Sequence, residues 1–230
     1  PGQTDRIRAV DPDAAFELAV VRARVALHTD AQAVDAGLFD DADALVRTPS
    51  QDHRARLLRA ELGLREGEPK AALVIALRVG SSSSGASGPL QAQALLLAVR
   101  CRMLLGQPEE AARDLDRAEA LLEAHPEPML AVRATNARAE LARAQQDLLW
   151  CRALCQQNIR TASQHRYQRG VGESMHRLGL VLRMLGRRRE AEQQLRAARE
   201  VVANTGDAEL DAETGLALAT LLVERGEQLP

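Results

Sequence analysis

Aromatic residues are scarce in this chain of 230 residues: they make up 2% of it, with one Trp, one Tyr and two Phe. A core must therefore be built from Leu, Ala and Val, which allow helices to pack closely. Ala, Leu, Arg, Glu and Gln dominate the composition, and all five are strong helix formers. Because 46% of the residues are hydrophobic, the chain has enough apolar surface to bury a continuous core. The composition favours an all-helical protein.

The chain also lacks a large excess of either charge and any long apolar run. Its 30 Lys and Arg residues nearly balance 32 Asp and Glu residues, for a formal net charge of −2. Such a balance gives no broad field to attract nucleic acid or an anionic membrane. No apolar run approaches the roughly 20 residues that a membrane-spanning helix needs. We therefore expect no direct contact with nucleic acid and none with a membrane.

Cysteine is rare, and its positions do not suggest a metal site. Cys101, Cys151 and Cys155 form neither an even disulfide framework nor paired CxxC motifs, so a reducing, cytoplasmic setting is expected. A structural zinc site would need four Cys or His ligands at suitable spacing. Cys151 and Cys155 lie four residues apart and are predicted to be small core residues of one helix. We expect no metal and no other cofactor.

Motifs that carry catalysis are missing as well. The five histidines are scattered, with no HExxH pair, and no GxxxxGKS, GxGxxG or GxSxG motif is present. The one basic run, Arg187-Arg188-Arg189, is followed by Glu190 and Glu192, which favours an exposed helix start over a nucleic-acid arm. The sequence predicts that this segment is not an enzyme.

A short phrase is present at nearly regular intervals: a glycine, a few polar residues, then an alanine that opens an apolar helical stripe. Four clear copies, one degenerate copy and one truncated copy begin at Gly37, Gly67, Gly106, Gly186, Gln146 and Gly226. In chain order their spacings are 30, 39, 40, 40 and 40 residues. A fixed period of this size is typical of stacked helical hairpins.

The same phrase sets the expected domain organisation. We predict one domain over 1–230, a fragment of a longer protein, whose helices form hairpins and end in one single helix. The expected hairpins are 13–47, 52–79, 89–124, 128–163 and 169–204, and the terminal helix is 208–225. Whether the first helix continues to Ala36 is left open, and the Gly- and Ser-rich stretch 80–88 is expected to be a flexible loop.

The clearest unit resembles the tetratricopeptide repeat. It combines large residues with small ones where two helices must approach: Met175, Leu178, Gly179, Leu182, Gly186, Ala191, Leu195 and Ala198. The unit departs from that family in three ways. Its period is near 40, most positions that are aromatic in the family are aliphatic here, and the closing proline is absent after Ala198. The resemblance implies an all-α, right-handed solenoid of antiparallel hairpins. A long, Ala- and Arg-rich unit of this kind is similar to the repeat regions of large bacterial regulators, such as LuxR-type ATP-dependent activators, related NTPase regulators and kinases with such tails.

In a superhelix of this kind, the first helix of each hairpin lines the inner groove. Projection of the pattern onto two such helices gives the candidate binding residues: Arg133, Asn136, Glu140, Arg143, Glu173, His176, Leu180 and Arg183. Arginine suits such a groove because its planar fork can hold a carboxylate or a backbone carbonyl of an extended peptide. The alternative interpretation is that these residues are only the polar face of amphipathic helices.

These features predict a noncatalytic interaction or sensor arm of a bacterial signalling or transcriptional regulator. The expected ligand is a peptide, a protein or a small effector, and the other domains of the full-length chain are possible partners. The alternative is a stand-alone adaptor or a self-associating scaffold that forms a homo-oligomer through its terminal helices.

Overall fold

The computed structural model describes residues 11–28, 37–82, 84–224 and 226. This part of the chain contains eleven α-helices and no strand. The helices are α1 Pro12–His28, α2 Gly37–Ala44, α3 Pro49–Arg65, α4 Pro69–Gly80, α5 Gly88–Leu104, α6 Pro108–Ala124, α7 Pro128–Ala144, α8 Leu148–Gln164, α9 Gln168–Met184, α10 Arg188–Ala203 and α11 Ala208–Glu224. The fold is therefore all-α.

The outer ends of the predicted hairpins and of the terminal helix fall within about three residues of helix ends in the structure. The region 29–36, where a continuation of the first helix was considered, lies outside the described residues. Most helices start with a proline in the first turn, where its missing N–H leaves no helical bond unmade. At α3 the side chains of Thr48 and Gln51 form a reciprocal capping box, which satisfies backbone donors at the helix start.

The chain divides into two compact units, Pro1–His125 and Pro126–Pro230. We call them the N-terminal unit, with α1–α6, and the C-terminal unit, with α7–α11. One repeat domain over the whole chain, and its being a fragment, stay predictions. In the described part of the chain, no helix combines the length and the apolar character that crossing a membrane requires.

The core of the N-terminal unit is built around its two phenylalanines and many Leu and Ala side chains. Phe16 and Phe39 are fully buried, and the guanidinium of Arg54 lies 5.3 Å from the centre of the Phe16 ring. A partly buried ion pair joins α5 to α6, with Arg102 Nε 2.6 Å from Asp114 Oδ2. The stretch 80–88, predicted as a flexible loop, is bonded to the start of α5. The side-chain amide of Gln91 donates to the carbonyl oxygens of Ser82 and Ala86 in that stretch.

The core of the C-terminal unit depends on close approach of α9 and α10. Gly179 faces Leu195: a Cβ added at Gly179 would lie 2.6 Å from both Cγ and Cδ2 of the leucine. One added at Gly172 would lie 2.7 Å from Cγ2 of Val202. Leu195 is fully buried, so it has little room to move away. The two glycines thus set the distance between the helices of this hairpin.

The copies of the repeated turn at 67, 106, 146 and 186 each use a residue with positive φ to end the helix before it. Glycine fills the position at Gly67, Gly106 and Gly186, with φ between 70° and 85°. The following N–H then bonds to a carbonyl five residues back, as in the 2.9 Å bond from Arg187 N to Leu182 O, which is the Schellman arrangement. Gln146 and Arg166 adopt the same conformation, with φ of 63° and 54°, although their side chains disfavour it.

Replacing Gln146 or Arg166 with glycine should therefore stabilise the C-terminal unit, by about 1 kcal/mol each, because the strained backbone is relieved. The free energy of unfolding in urea measures the change. Gly186→Ala is the matched control, because it introduces a side chain at φ 74° and should destabilise by a similar amount. A loss of stability in both glycine variants would contradict the prediction.

Candidate binding face

The first helices of the C-terminal hairpins carry all eight predicted binding residues. Four lie on α7 and four on α9, and α9 contacts both α7 and α11. We call the polar surface of α7, α9 and α11 the binding face. Six of the eight residues on it are partly exposed, and Asn136 and His176 are buried, with 3% and 8% of their surface exposed.

Asn136 connects α7 to α9 through hydrogen bonds at both ends of its amide. Its Nδ2 donates to Glu173 Oε2 at 3.0 Å, and its Oδ1 lies 2.9 Å from the hydroxyl of Ser174. The same hydroxyl accepts a 3.0 Å bond from Nδ2 of Asn158 on α8, whose amide also donates to Val132 O. This buried set ties three helices together, and bonds of this kind fix the register between them.

Glu173 lies at the centre of three arginines. Arg169 Nε is 3.1 Å from Glu173 Oε1 and 3.0 Å from Oδ2 of Asp207, which precedes α11. Burial alone would raise the pKa of Glu173, but the charges of Arg177, Arg169 and Arg133 outweigh it and hold that pKa below its usual value. A carboxylate with this surrounding stays ionised at neutral pH.

A second carboxylate, Glu140, is shared by arginines from two helices. Arg143 Nε donates to it at 3.1 Å within α7, and Nε of Arg177 on α9 lies 3.8 Å away. Burial would raise the pKa of Glu140, and its hydrogen bond to Arg143 together with the Arg177 charge lowers it instead. The side chains of Arg143 and Arg177 are about 34% and 26% exposed. Arg143 is held by its hydrogen bond to Glu140, and Arg177 Nη1 lies 3.5 Å from the carbonyl oxygen of Glu173.

The remaining predicted residues lie toward the ends of the face. Leu180 is partly buried and packs against the core cluster of the unit, so it supplies apolar surface beside the charges. Arg183 Nη1 lies 4.0 Å from Oε1 of Glu224, which links α9 to α11. Arg133 is partly exposed, and its charge contributes to the lowered pKa of Glu173. Burial raises the pKa of Tyr167, and the charge of Arg133 opposes this effect.

His176 is a buried link between α9 and α11. Its Nδ1 lies 3.1 Å from the hydroxyl of Thr214. That hydroxyl also lies 2.7 Å from Leu210 O, and because a carbonyl can only accept, it takes the hydroxyl proton. The imidazole must then carry its own proton on Nδ1 and donate it to Thr214 Oγ1. Burial and the nearby charge of Arg177 lower the pKa of His176 to about 4, against the opposing effect of Glu140 and Glu173.

Several residues of the face were missed by the sequence reasoning. Arg177, Ser174 and Thr214 all make contacts described above, and none was predicted as a site residue. The signal that could have found them is the offset between repeats. Polar side chains that bond across neighbouring first helices are 37 or 38 residues apart, and the repeat period is 40.

The described side chains of this face are joined by hydrogen bonds and ion pairs and do not form a metal site. No group of three or more His, Cys, Asp or Glu side chains there is placed to hold a metal ion. Cys101, Cys151 and Cys155 are buried, which agrees with the prediction that Cys151 and Cys155 are small core residues. Burial raises the pKa of the Cys101 thiol to about 11, which disfavours a reactive thiolate.

Comparisons with known proteins relate this chain to helical-repeat structures. No protein-family profile matches the sequence, and no curated protein sequence matches it. Among solved structures, the chain is similar to aspartyl phosphate phosphatase F from Bacillus subtilis, with a TM-score of 0.66 and 13% identity over 98% of this chain and 62% of that one. The chain therefore spans less than two thirds of the length of that protein.

A second group of similar structures has repeats of the kind that the sequence predicts. A putative kinesin light chain from Podosopora anserina, with nearly identical TPR-like repeats, gives a TM-score of 0.55 and 17% identity over 79% of this chain and 90% of that one. A variant of the same protein gives the same TM-score and identity. Identities this low show the fold alone.

Proposed function

Because the chain is a helical-repeat protein with a tetratricopeptide-like fold, we propose that it is a noncatalytic interaction arm that binds an extended peptide segment of a partner protein. The segment would lie on the binding face of the C-terminal unit. Folds of this type generally act through surfaces that their stacked helices present. A fold hosts many functions, so the proposal depends on the residues of the face.

The observation that carries the proposal is the set of positioned, partly exposed arginines on α7 and α9. Arg143 donates to Glu140, and Arg177 Nε lies 3.8 Å from the same carboxylate. Arg133 lies ten residues before Arg143 on α7, where its charge acts on Glu173. An arginine whose guanidinium is already held in place loses little freedom when it binds a carbonyl or carboxylate. Leu180 adds an apolar contact on the same face. A peptide with acceptor groups and one apolar side chain fits this combination.

We further propose that this arm belongs to a bacterial signalling or transcriptional regulator and works in the cytoplasm. The resemblance of the long Ala- and Arg-rich repeat to such regulators supports this, and so do three unpaired, buried thiols, which suit a reducing compartment. The other domains of the full-length protein would then respond to binding. A segment that contacts α7, α9 and α11 together would favour one relative placement of these helices.

The test begins with a display library of random peptides of about 12 residues, selected on the intact chain. Enriched peptides are synthesised, and their Kd is measured by calorimetry for wild type and for Arg133→Ala and Arg177→Ala. We expect each variant to weaken binding about tenfold or more, which corresponds to about 1.4 kcal/mol.

Arg196→Ala is the matched control, because Arg196 is an arginine of α10 with 56% of its side chain exposed and a carboxylate partner, Glu192. It should leave the Kd unchanged. Circular dichroism confirms that all three variants are folded. The proposal is wrong if no peptide is enriched, or if the selected peptides bind the Arg133 and Arg177 variants as tightly as wild type.

A further inference from the structure

The last helix of the C-terminal unit has a second apolar stripe, on the side away from its core contacts. The core side of α11 consists of Leu210, Ala217, Leu218 and Leu221. The other stripe is Ala212, Leu216, Ala219 and Val223, and 70% of Leu216 and 62% of Val223 are exposed. Exposed apolar side chains at spacings of four, three and four residues form one continuous line on a helix.

The equivalent line on α9 shows what such a stripe does in this fold. The residues 40 positions earlier are Gly172, His176, Gly179 and Arg183. Gly172 faces Val202, and Gly179 faces Leu195, both of α10. Gly172 and Gly179 thus mark the surface on which the next helix packs in the antiparallel direction, whereas His176 and Arg183 of the same line contact α11. Ala212 and Ala219 keep the corresponding positions of α11 small.

The first helix of the N-terminal unit carries the complementary pattern. The face of α10 that packs on α9 consists of Ala191, Leu195, Ala198 and Val202. The outer side of α1 has Ala14, Leu18, Val21 and Val25 at the same spacings. These residues lie opposite the buried side of α1, and 54% of Val21 and 56% of Val25 are exposed. The outer side of α1 thus resembles the packing face of α10.

The charges beside the two stripes are of opposite sign. Helix α11 contains acidic and no basic residues, with Glu209, Asp211 and Glu213 in its first half. The basic residues of α1 lie in its second half: Arg22, Arg24 and His28. If the helices pack in the antiparallel direction, as in a hairpin, the acidic half of α11 lies beside the basic half of α1. Complementary charges of this kind select a partner and its orientation.

We propose that α11 of one copy of the chain binds α1 of a second copy, covering it as α10 covers α9. In this register Ala212 contacts Val25 of the second copy, and Ala219 contacts its Leu18. The contact joins two different surfaces of the chain, one on each unit. This association goes beyond the peptide-binding function and uses other residues.

Sedimentation of the intact chain at about 1 µM to 1 mM tests the association. We expect the wild-type mass to rise with concentration above that of one chain. Leu216→Glu and Val21→Glu should each remain monomeric alone, and an equal mixture should form a pair, because one variant supplies an intact α1 and the other an intact α11. Val74→Glu, at a valine of α4 that is 51% exposed, is the matched control and should associate like wild type.

Three results would overturn the proposal. Wild type could stay monomeric over the whole range. Val21→Glu could still self-associate, which would point to contact between two α11 helices. The mixture of the two variants could remain monomeric, although circular dichroism shows that both are folded. Binding of selected peptides is measured separately, with variants of Arg133 and Arg177, so this result does not decide the peptide-binding proposal.

Crosslinking tests the register. Ala212→Cys mixed with Val25→Cys should give a disulfide-linked pair on mild oxidation, because the native cysteines are buried and the two new ones face each other. Ala219→Cys mixed with Val25→Cys should crosslink at least tenfold less, since seven residues displace the thiols by about 10 Å along the helix. Equal crosslinking of both mixtures would contradict the antiparallel register.

Discussion

Truncation of Leu195 to alanine should lower the free energy of unfolding of the C-terminal unit by about 2–5 kcal/mol. Leu195 is fully buried between α9 and α10, and its side chain fills the space that Gly179 leaves. Its removal loses apolar burial and opens a cavity that two rigid helices cannot close. The fluorescence of Trp150, the one tryptophan of the chain, follows urea unfolding of this unit.

The loss of stability on Gly179→Ala should depend on whether Leu195 is present. In wild type, Gly179→Ala places a methyl group 2.6 Å from Leu195 Cγ and Cδ2, so we expect a loss of about 1–3 kcal/mol. After Leu195→Ala those two atoms are gone, and Gly179→Ala should then cost at least about 1 kcal/mol less. Strictly additive losses would contradict direct packing of these residues.

Gly63→Ala is the matched control for the glycine substitution. Gly63 lies inside α3, has no positive φ and has no neighbouring atom within 4 Å of an added Cβ. Alanine there should stabilise the N-terminal unit by up to about 1 kcal/mol, because alanine has the higher helix propensity. Circular dichroism follows its unfolding in urea. A gain in the free energy of unfolding at Gly63 and a loss at Gly179 would show that packing, and not helix propensity, determines the effect at Gly179.

The helices could be predicted from the sequence because their signals are local. A glycine at the end of one helix and a proline or acidic residue at the start of the next fix most boundaries, as at Gly106 and Pro108. The degenerate turn at Gln146 was predicted only from its place in the period. The backbone there has the conformation of the glycine turns, so the position in the repeat overrides local preference.

The binding face could be predicted only in part, because burial on it depends on partners far along the chain. Asn136 and His176 have the residue types of an exposed polar face, yet Ser174 and Thr214 on neighbouring helices cover and bond to them. The period identifies equivalent residues, which lie 40 apart. It does not give the offset of 37 or 38 residues between contacting ones, which depends on how neighbouring hairpins pack.

The exposed apolar stripes of α1 and α11 could not be predicted from the sequence either. The sequence of α1 is apolar at Leu18, Val21 and Val25 as well as at its core positions, and a sequence pattern cannot say which of two apolar stripes is covered. Only the exposed fractions of Val21 and Val25 distinguish them. On the terminal helix, likewise, Leu216 is exposed whereas Leu218 and Leu221 are buried, although all three are leucines.

Acidification should destabilise the C-terminal unit through His176, by about 2 kcal/mol between pH 7 and pH 4.5. The pKa of this histidine is about 4 in the folded chain and 6.5 as its ordinary value. Between these values the unfolded chain binds a proton that the folded chain does not, so stability is complete above pH 6.5 and falls as the pH drops toward 4. The lowered pKa values of Glu140 and Glu173 remove stability only at lower pH.

The variant His176→Asn isolates this contribution, because its amide can still donate to Thr214 Oγ1 but does not titrate. Its absolute stability at pH 7 is expected to be lower, since the larger ring is lost. Its unfolding free energy, measured in urea by Trp150 fluorescence, should be nearly constant from pH 7 to pH 4.5, whereas that of wild type falls. If the unfolding free energy of the variant falls with pH as steeply as that of wild type, protonation of His176 does not weaken the unit. The carboxylates of the binding face must then titrate at higher pH than their arginine partners imply.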